Sequence, residues 1–345
     1  MHHDGPNECD PTVATIKDVA RLAGVSVSTV SRVMNESGYV GTDTRVKVQQ
    51  AMVQLNFSPN DIARGLVSKK TASIGLLIPD VSNPFFADIA RGTEDAAIAQ
   101  GFSVILCNSD WQMDRERMYL DILRGKWVEG VVVAGSRSPE QVLLKAIGDL
   151  PFVMVDRRAV HQGNSVWMDN QRGAMVATEH LFNLGCRHLA HITGPEHSPS
   201  GQARHAGFIQ AVEASASVLQ TQVMQGDFRV DGGYRAGLQL LQGQQRPDGI
   251  FAGNDLMAIG VIHAAQFLGL RVPQDVSVIG YDNIAMAQYV APKLTTIDQP
   301  GYEMGKAAFE MLYRQLQSEQ ELSEDVEFEP TLVLRESTQN RGQKR

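Results

Sequence analysis

The residues with the most chemistry in this chain stand at the ends of predicted strands. Asp80, Asn83, Phe85 and Phe86 follow the apolar run SIGLLIP, and Asp156 and Arg157 end and follow FVMVD. Arg204 opens a helix after HLAHIT, Asn254 follows GIFAG, Asp282 follows VSVIGY and Gln299 follows LTTID. Carboxylates, amides and guanidinium forks each grip a pair of neighbouring hydroxyls bidentately. Two aromatic rings can cover the C–H faces of a small ring between them. Such a set suits a neutral polyhydroxylated molecule, because a phosphorylated ligand requires clustered cations and none cluster here. Any one of these residues taken alone is more often a helix cap or a structural ion pair than a ligand contact. Their recurrence at successive strand ends points to one binding site.

The elements that must position them alternate. Strands at 73–79, 103–108, 130–135 and 152–156 are separated by helices near 87–100, 114–126 and 139–149. The pattern restarts with SVWM (165–168), a helix near 173–184 and HLAHIT (188–193). Helices near 202–214 and 231–241, GIFAG (249–253), a helix near 255–268 and VSVIGY (276–281) complete it. Continuous apolar strands alternating with amphipathic helices predict parallel sheets covered on both faces. Two such series predict an α/β body of two doubly wound lobes, with ligand bound at the carboxyl ends of the strands between them.

A different texture precedes the body. TIKDVARLAGVSVSTVSRVMN (15–35) contains two short helices, 16–23 and 27–34, joined by Gly24-Val25-Ser26. Thr15 with Asp18 three residues on is a capping-box start, and Ser26 can cap the second helix. Val30, Val33 and Met34 face inward, which leaves Val27, Ser28, Thr29 and Arg32 outward, as on a helix entering a DNA major groove. An ordinary helical hairpin is the plainer alternative. A third helix, 42–55, carries Val46, Val48, Ala51, Met52 and Leu55 as its buried stripe. NDIARGLVS (60–68) reads as a linker or as a hinge helix that folds only when supported. Residues 15–70 carry a balance of +4, while residues 71–345 carry −9, within a net charge of −8. A basic head on an acidic body confines phosphate attraction to one end.

Other classes lack their signatures. No run of about 18 apolar residues spans a membrane. The first 14 residues contain no apolar secretory core, so a cytoplasmic protein is expected. Cys9, Cys107 and Cys186 form neither a disulfide framework nor a zinc knuckle. No GxGxxG opens either lobe, GYEMGKA (301–307) lacks the spacing and hydroxyl of a phosphate loop, and no GxSxG or HExxH occurs. His188 and His191, three apart on a strand, point to opposite faces. No cofactor, metal or catalytic residue is expected, and a sugar- or nucleotide-converting enzyme is the remote alternative.

Residues 15–337 resemble the lactose/galactose repressor family of bacterial transcription regulators. The motifs are the 15–35 stretch, SPNDIARGL, IPDVSNPFF, GNDLMAIGV and VIGYDN…PKLTTIDQP. Within that family the body is most similar to ribose-operon repressors. The resemblance implies that Asn83, Phe85, Phe86, Asp156, Arg157, Arg204, Asn254, Asp282 and Gln299 contact a sugar. It places Val27, Ser28 and Arg32 at base-reading positions, with Thr15, Thr29 and Asn35 in the same DNA-binding head. Leu66 matches a minor-groove wedge with Ala63 beside it, and Asn60, Arg64 and Lys69 fall near the phosphates. A homodimer on a palindromic operator is implied, released by ribose or a similar pentose; a purine or partner-protein corepressor is the alternative. The tail after Arg335 has no apolar heptad, so a coiled-coil tetramer is not expected. The expected domains are a tail (1–14), the head (15–59), the hinge (60–71), the body (72–337) and a tail (338–345). The first lobe is expected at about 72–164 plus 298–323, the second at about 165–297 plus 324–337.

Overall fold

The computed structural model describes residues 14–34, 37–57, 71–159, 164–318 and 324–341. The chain divides into two compact units, Met1–Thr71 and Ala72–Arg345. In the first, helix α1 (Ile16–Ala23) starts at Thr15, whose backbone N–H and hydroxyl donate to the Asp18 carboxylate at 3.0 and 2.6 Å. These bonds hold the Asp18 carboxyl below its usual range. The helix stops at Gly24, whose φ of 65° reverses the chain without a Cβ clash. Ser26 Oγ accepts from the Thr29 N–H at 3.2 Å and so caps α2 (Val27–Met34).

Helix α3 (Thr42–Gln54) closes the head over a core of Val19, Ala20, Val30, Val33, Val48 and Ala51. Val46, expected in that core, is 46% exposed. Two positions from Val48, it lies about 200° round the helix and cannot share its face. Asn35 and the hinge residues Asn60, Ala63, Arg64, Leu66 and Lys69 lie outside the described residues.

The second unit holds two six-stranded sheets. The first contains β1 (Ser73–Ile78), β2 (Ser103–Asn108), β3 (Gly130–Ala134), β4 (Phe152–Val155), β5 (Asn164–Met168) and β11 (Asp325–Phe328). Their order is β11-β5-β4-β3-β1-β2, and every pair is parallel. Helices α4 (Pro84–Ala99), α5 (Met113–Gly125) and α6 (Glu140–Ile147) connect the first four strands.

The second sheet contains β6 (His188–Thr193), β7 (Gln220–Gln225), β8 (Gly249–Ala252), β9 (Ser277–Asp282), β10 (Thr295–Asp298) and β12 (Thr331–Val333). Their order is β12-β10-β9-β8-β6-β7, with only β12 antiparallel. Its helices are α7 (Asn170–Asn183), α8 (Pro199–Glu213), α9 (Val230–Gln242) and α10 (Asp255–Phe267). Every residue of β1, β3, β8 and β9 is buried, which is why these strands read as unbroken apolar runs.

Helix α11 (Gly301–Gln317) returns the chain to the first lobe and crosses α4 closely. A Cβ on Gly92 or Gly305 would come within 2.0 or 2.1 Å of a carbonyl oxygen on the other helix. That crossing fixes the segment just before α11, which carries Gln299.

The lobes divide differently from the sequence expectation. SVWM does not open the second lobe, because β5 pairs with β4 (Val155 opposite Val166) and β11 pairs with β5. Residues 164–168 and 325–328 therefore both extend the first sheet, tied further by the Ser165 N–H to the Glu324 carbonyl at 3.1 Å. An apolar run records that a strand is covered on both faces, not which sheet edge accepts it. Strand β7 had no sequence signal: QTQVMQ alternates half-buried with exposed residues at a sheet edge. The chain crosses between sheets after β5, after β10 and after β11.

Candidate ligand-binding site

Between the lobes, at the carboxyl ends of the strands, Asn83, Phe85, Phe86, Asp156, Ser200, Arg204, Phe228, Asn254 and Asp282 enclose a cavity of about 10 Å³. That is room for about one water, so the lobes lie shut over the site. Local structure aims each side chain. Asn83 caps α4 by accepting from the Phe85 N–H at 3.1 Å, and Asn254 caps α10 by accepting from the Met257 N–H at 2.9 Å. Asp156 and Asp282 adopt left-handed backbone, with φ of 63° and 106°. Non-glycine residues rarely hold that conformation, and it turns both carboxylates off their strands towards the cleft.

Arg204 organises the polar side. Its Nε donates to Asn170 Oδ1 at 2.8 Å, Nη1 to the Gly253 carbonyl at 2.6 Å and Nη2 to Gln299 Oε1 at 2.8 Å. Its guanidinium lies 3.7 Å over the Tyr281 ring and 5.8 Å from the centre of Phe228, where cation–π attraction adds to the bonds. Nη1 is also 3.2 Å from Asp282 Oδ1, but off the hydrogen-bond direction, so the contact is an ion pair and that oxygen lacks a donor. Gln299 Nε2 donates to Asp156 Oδ1 at 2.8 Å, and Asn170 Nδ2 reaches the same oxygen at 3.2 Å.

Burial pushes the Asp282 carboxyl up to about 7; Arg204 opposes that shift and the Asp156 carboxylate adds to it. Asp255 lies behind, accepting from Thr296 Oγ1 at 2.5 Å and from the Ile284 N–H at 2.9 Å. Burial first, and the charge of Asp282 second, raise its carboxyl well above the usual range. The apolar side is aromatic. Phe85 and Phe86 meet edge to face with centroids 5.1 Å apart, and Trp111 touches Phe86 at 6.0 Å and Phe228 at 5.9 Å.

Seven of the nine sequence-read positions line the cavity, and Gln299 joins them through Arg204 and Asp156. Arg157 does not join them. Its guanidinium turns to the Ser138 carbonyl at 3.1 Å and lies 3.9 Å from Glu140, drawn away by carboxylates on the α6 side. Ser200, Phe228 and Asn170 were missed. Ser200 sits four residues before Arg204 on α8, a spacing that shares a helix face and could have flagged it. Phe228 follows the unexpected β7, and Asn170 follows the strand assigned to the wrong lobe.

In the head, Val27 is 41% exposed, Ser28, Arg32 and Thr15 are exposed, and Thr29 is half-buried. His191 is buried with Nδ1 3.0 Å from the Phe251 carbonyl, stacked against Phe208 and Phe251, whereas His188 is half-buried. Among the described residues, no group of His, Cys, Asp and Glu is arranged to hold a metal ion, and no helix is long and apolar enough to cross a membrane.

Residues 15–60 match the family of bacterial regulatory proteins of the lacI type, and residues 178–338 match the periplasmic binding protein-like domain. The transcriptional repressor PurR of Photorhabdus laumondii is 42% identical over 330 residues, covering 94% of this chain and 97% of that protein. The ribose operon repressor of Halalkalibacterium halodurans is 39% identical over 326 residues, with the same coverage of 94% and 97%. The crystal structure of the lac repressor dimer bound to operator and the anti-inducer ONPF superposes with a TM-score of 0.85 at 28% identity, covering 94% of this chain and 99% of that one. The chain belongs to the LacI family of bacterial regulatory proteins and is a DNA-binding transcriptional repressor rather than an enzyme.

Proposed function

We propose that this repressor answers to a small neutral sugar, ribose or a similar pentose, bound between the two lobes. The carrying observation is the ring of Asp156, Gln299, Arg204, Asp282 and Asn254 facing Phe85, Phe86 and Phe228, in which the one guanidinium is already balanced by a carboxylate. That balance favours hydroxyls over phosphate or carboxylate groups. A pentose enters when the lobes part, and it trades the direct Asp156–Gln299–Arg204 bonds for bonds to its own hydroxyls.

The repressor acts in the cytoplasm as a homodimer on a palindromic operator, with Val27, Ser28 and Arg32 reading bases and Leu66 wedging the minor groove. Exposed Met118 and Ile122 on α5, and Leu106 and Val223 on the edge strands β2 and β7, support pairing along the body. Sugar binding and operator binding oppose each other, and the coupling is reciprocal.

The test is calorimetry of the full-length protein against pentoses, hexoses and purines, followed by operator titration with each binder. Ribose or a close pentose binds and weakens the operator complex; binding of a purine that tightens the complex overturns the reading. That second reading, a purine corepressor, is favoured by the aromatic walls and by the higher identity to the relative named PurR. The edge-to-face setting of Phe85 and Phe86 weighs against it, since a flat base is best held between parallel rings.

A further inference from the structure

We propose that Arg229 is an electrostatic clasp across the cleft mouth, which holds the lobes shut and sets how long the ligand stays without touching it. This rests on the ligand-binding reading above and adds a residue outside the cavity wall.

Arg229 precedes α9 in the second lobe, yet its guanidinium pairs with two carboxylates of the first. Nη2 donates to Asp110 Oδ1 at 2.8 Å, while Nη2 and Nε each lie 3.3 Å from Asp80 Oδ2. Asp80 and Asp110 stand in the turns after β1 and β2, on the cleft side. Asp80 is held in place, because its other oxygen accepts from the Ser82 N–H at 3.0 Å and the Ser82 hydroxyl at 2.6 Å. The Asp80 side chain is only 12% exposed but that of Arg229 is 53% exposed, so the pair is partly screened by solvent.

The backbone on both sides is bent to make the contact. Phe228 has a left-handed φ of 62°, and so do Asp110 and Trp111, at 52° and 55°. The result splits neighbouring side chains between two tasks. Phe228 points inward and meets Trp111, while Arg229 reaches outward to Asp80 and Asp110. The nearby Asp227 does not compete, since its carboxylate accepts from the Arg229 and Arg235 N–H groups.

Opening the lobes returns Arg229 to water and leaves Asp80 without its counter-charge, while Asp110 keeps a longer contact of 3.9 Å with Arg115. The clasp therefore stabilises the closed form. Ligand enters and leaves through the open form, so removing the clasp speeds departure and, by enlarging the open fraction of the ligand-free protein, speeds arrival as well.

The test uses full-length protein carrying Arg229→Gln, Asp110→Asn or both, with ribose as the probe in stopped-flow tryptophan fluorescence. The off-rate rises roughly five- to twentyfold in either single variant, the double variant adds little, and the on-rate rises rather than falls because the open form is more populated. The wild-type off-rate rises with salt and that of Arg229→Gln does not, because the screened attraction is gone. An off-rate within about twofold of wild type, or an unchanged salt dependence, overturns the clasp. Solution scattering of the ligand-free proteins separates this from the ligand assignment. Should ribose fail to bind wild type, the sugar reading fails, and the clasp then stands or falls on whether Arg229→Gln enlarges the radius of gyration.

Discussion

The two lobes contribute unlike halves of one site. The first supplies the aromatic faces of Phe85 and Phe86, together with Asn83 and Asp156; the second supplies Arg204, Asn254, Asp282 and Ser200. The second lobe's half is braced before any ligand arrives: Arg204 is held by three hydrogen bonds, and Asp282 ends a fully buried strand. The first lobe's half is mostly a wall of rings, its polar bonds being those Asp156 Oδ1 accepts from Gln299 and Asn170 and the Asn83 cap. Under the proposed function, this difference assigns ligand orientation to the second lobe and covering of the ligand to the first.

Substitutions rank accordingly. Asp282→Ala, in the orienting half, lowers ribose affinity about 100-fold, the loss of one or two charge-assisted hydrogen bonds. It leaves operator affinity unchanged in the absence of sugar. Calorimetry and operator titration check both arms, and ribose release at the wild-type concentration would remove Asp282 from the site.

The next effect is that of pH. The raised Asp282 carboxyl, at about 7, is mostly protonated at pH 6, whereas sugar hydroxyls donate best to the anion. Ribose affinity therefore rises about tenfold from pH 6 to pH 8, and binding releases a proton at the lower end. Asp282→Asn flattens that profile. For stability the sign is opposite: a carboxyl raised in the folded state contributes stability that is present below about pH 4 and lost as pH rises through 7. Thermal melts of the ligand-free protein at pH 5 and 8 read that contribution.

Phe85→Leu, in the covering half, costs about five- to tenfold in affinity through lost ring contact, with the enthalpy of binding changing more than its stoichiometry. An effect equal to that of Asp282→Ala would erase the distinction between the lobes. The smallest expected effect is at Arg157. Because its guanidinium faces Ser138 and Glu140, Arg157→Ala changes ribose affinity by less than about twofold. A larger loss would show that the side chain swings into the cleft on binding.

The site was legible in the chain where local rules aim a side chain. Asn83 and Asn254 are helix caps at strand ends, and the same cap geometry that places them can be read from sequence. Arg157 follows Asp156 directly, yet the two side chains part: one turns to the cavity and the other to the loop before α6. Sequence adjacency could not separate them, because the partners that decide, Ser138 and Glu140, come from another element. Phe228 and Arg229 escaped for the same reason. Their roles depend on Trp111, Asp80 and Asp110, more than a hundred residues earlier.

By itself the sequence determined the helix-turn-helix start, with Thr15, Gly24 and Ser26 in place, and the alternation of buried strands and covering helices. Periodicity and capping act over one or two turns, so neighbours in the chain suffice to express them. Only the tertiary structure decided that β5 and β11 belong to the first sheet, that Val46 faces solvent beside the buried Val48, and that Arg204 and Gln299 bridge the lobes. Those outcomes are set by which sheet edge has open hydrogen bonds and which carboxylate lies nearest in space, and distance along the chain carries neither.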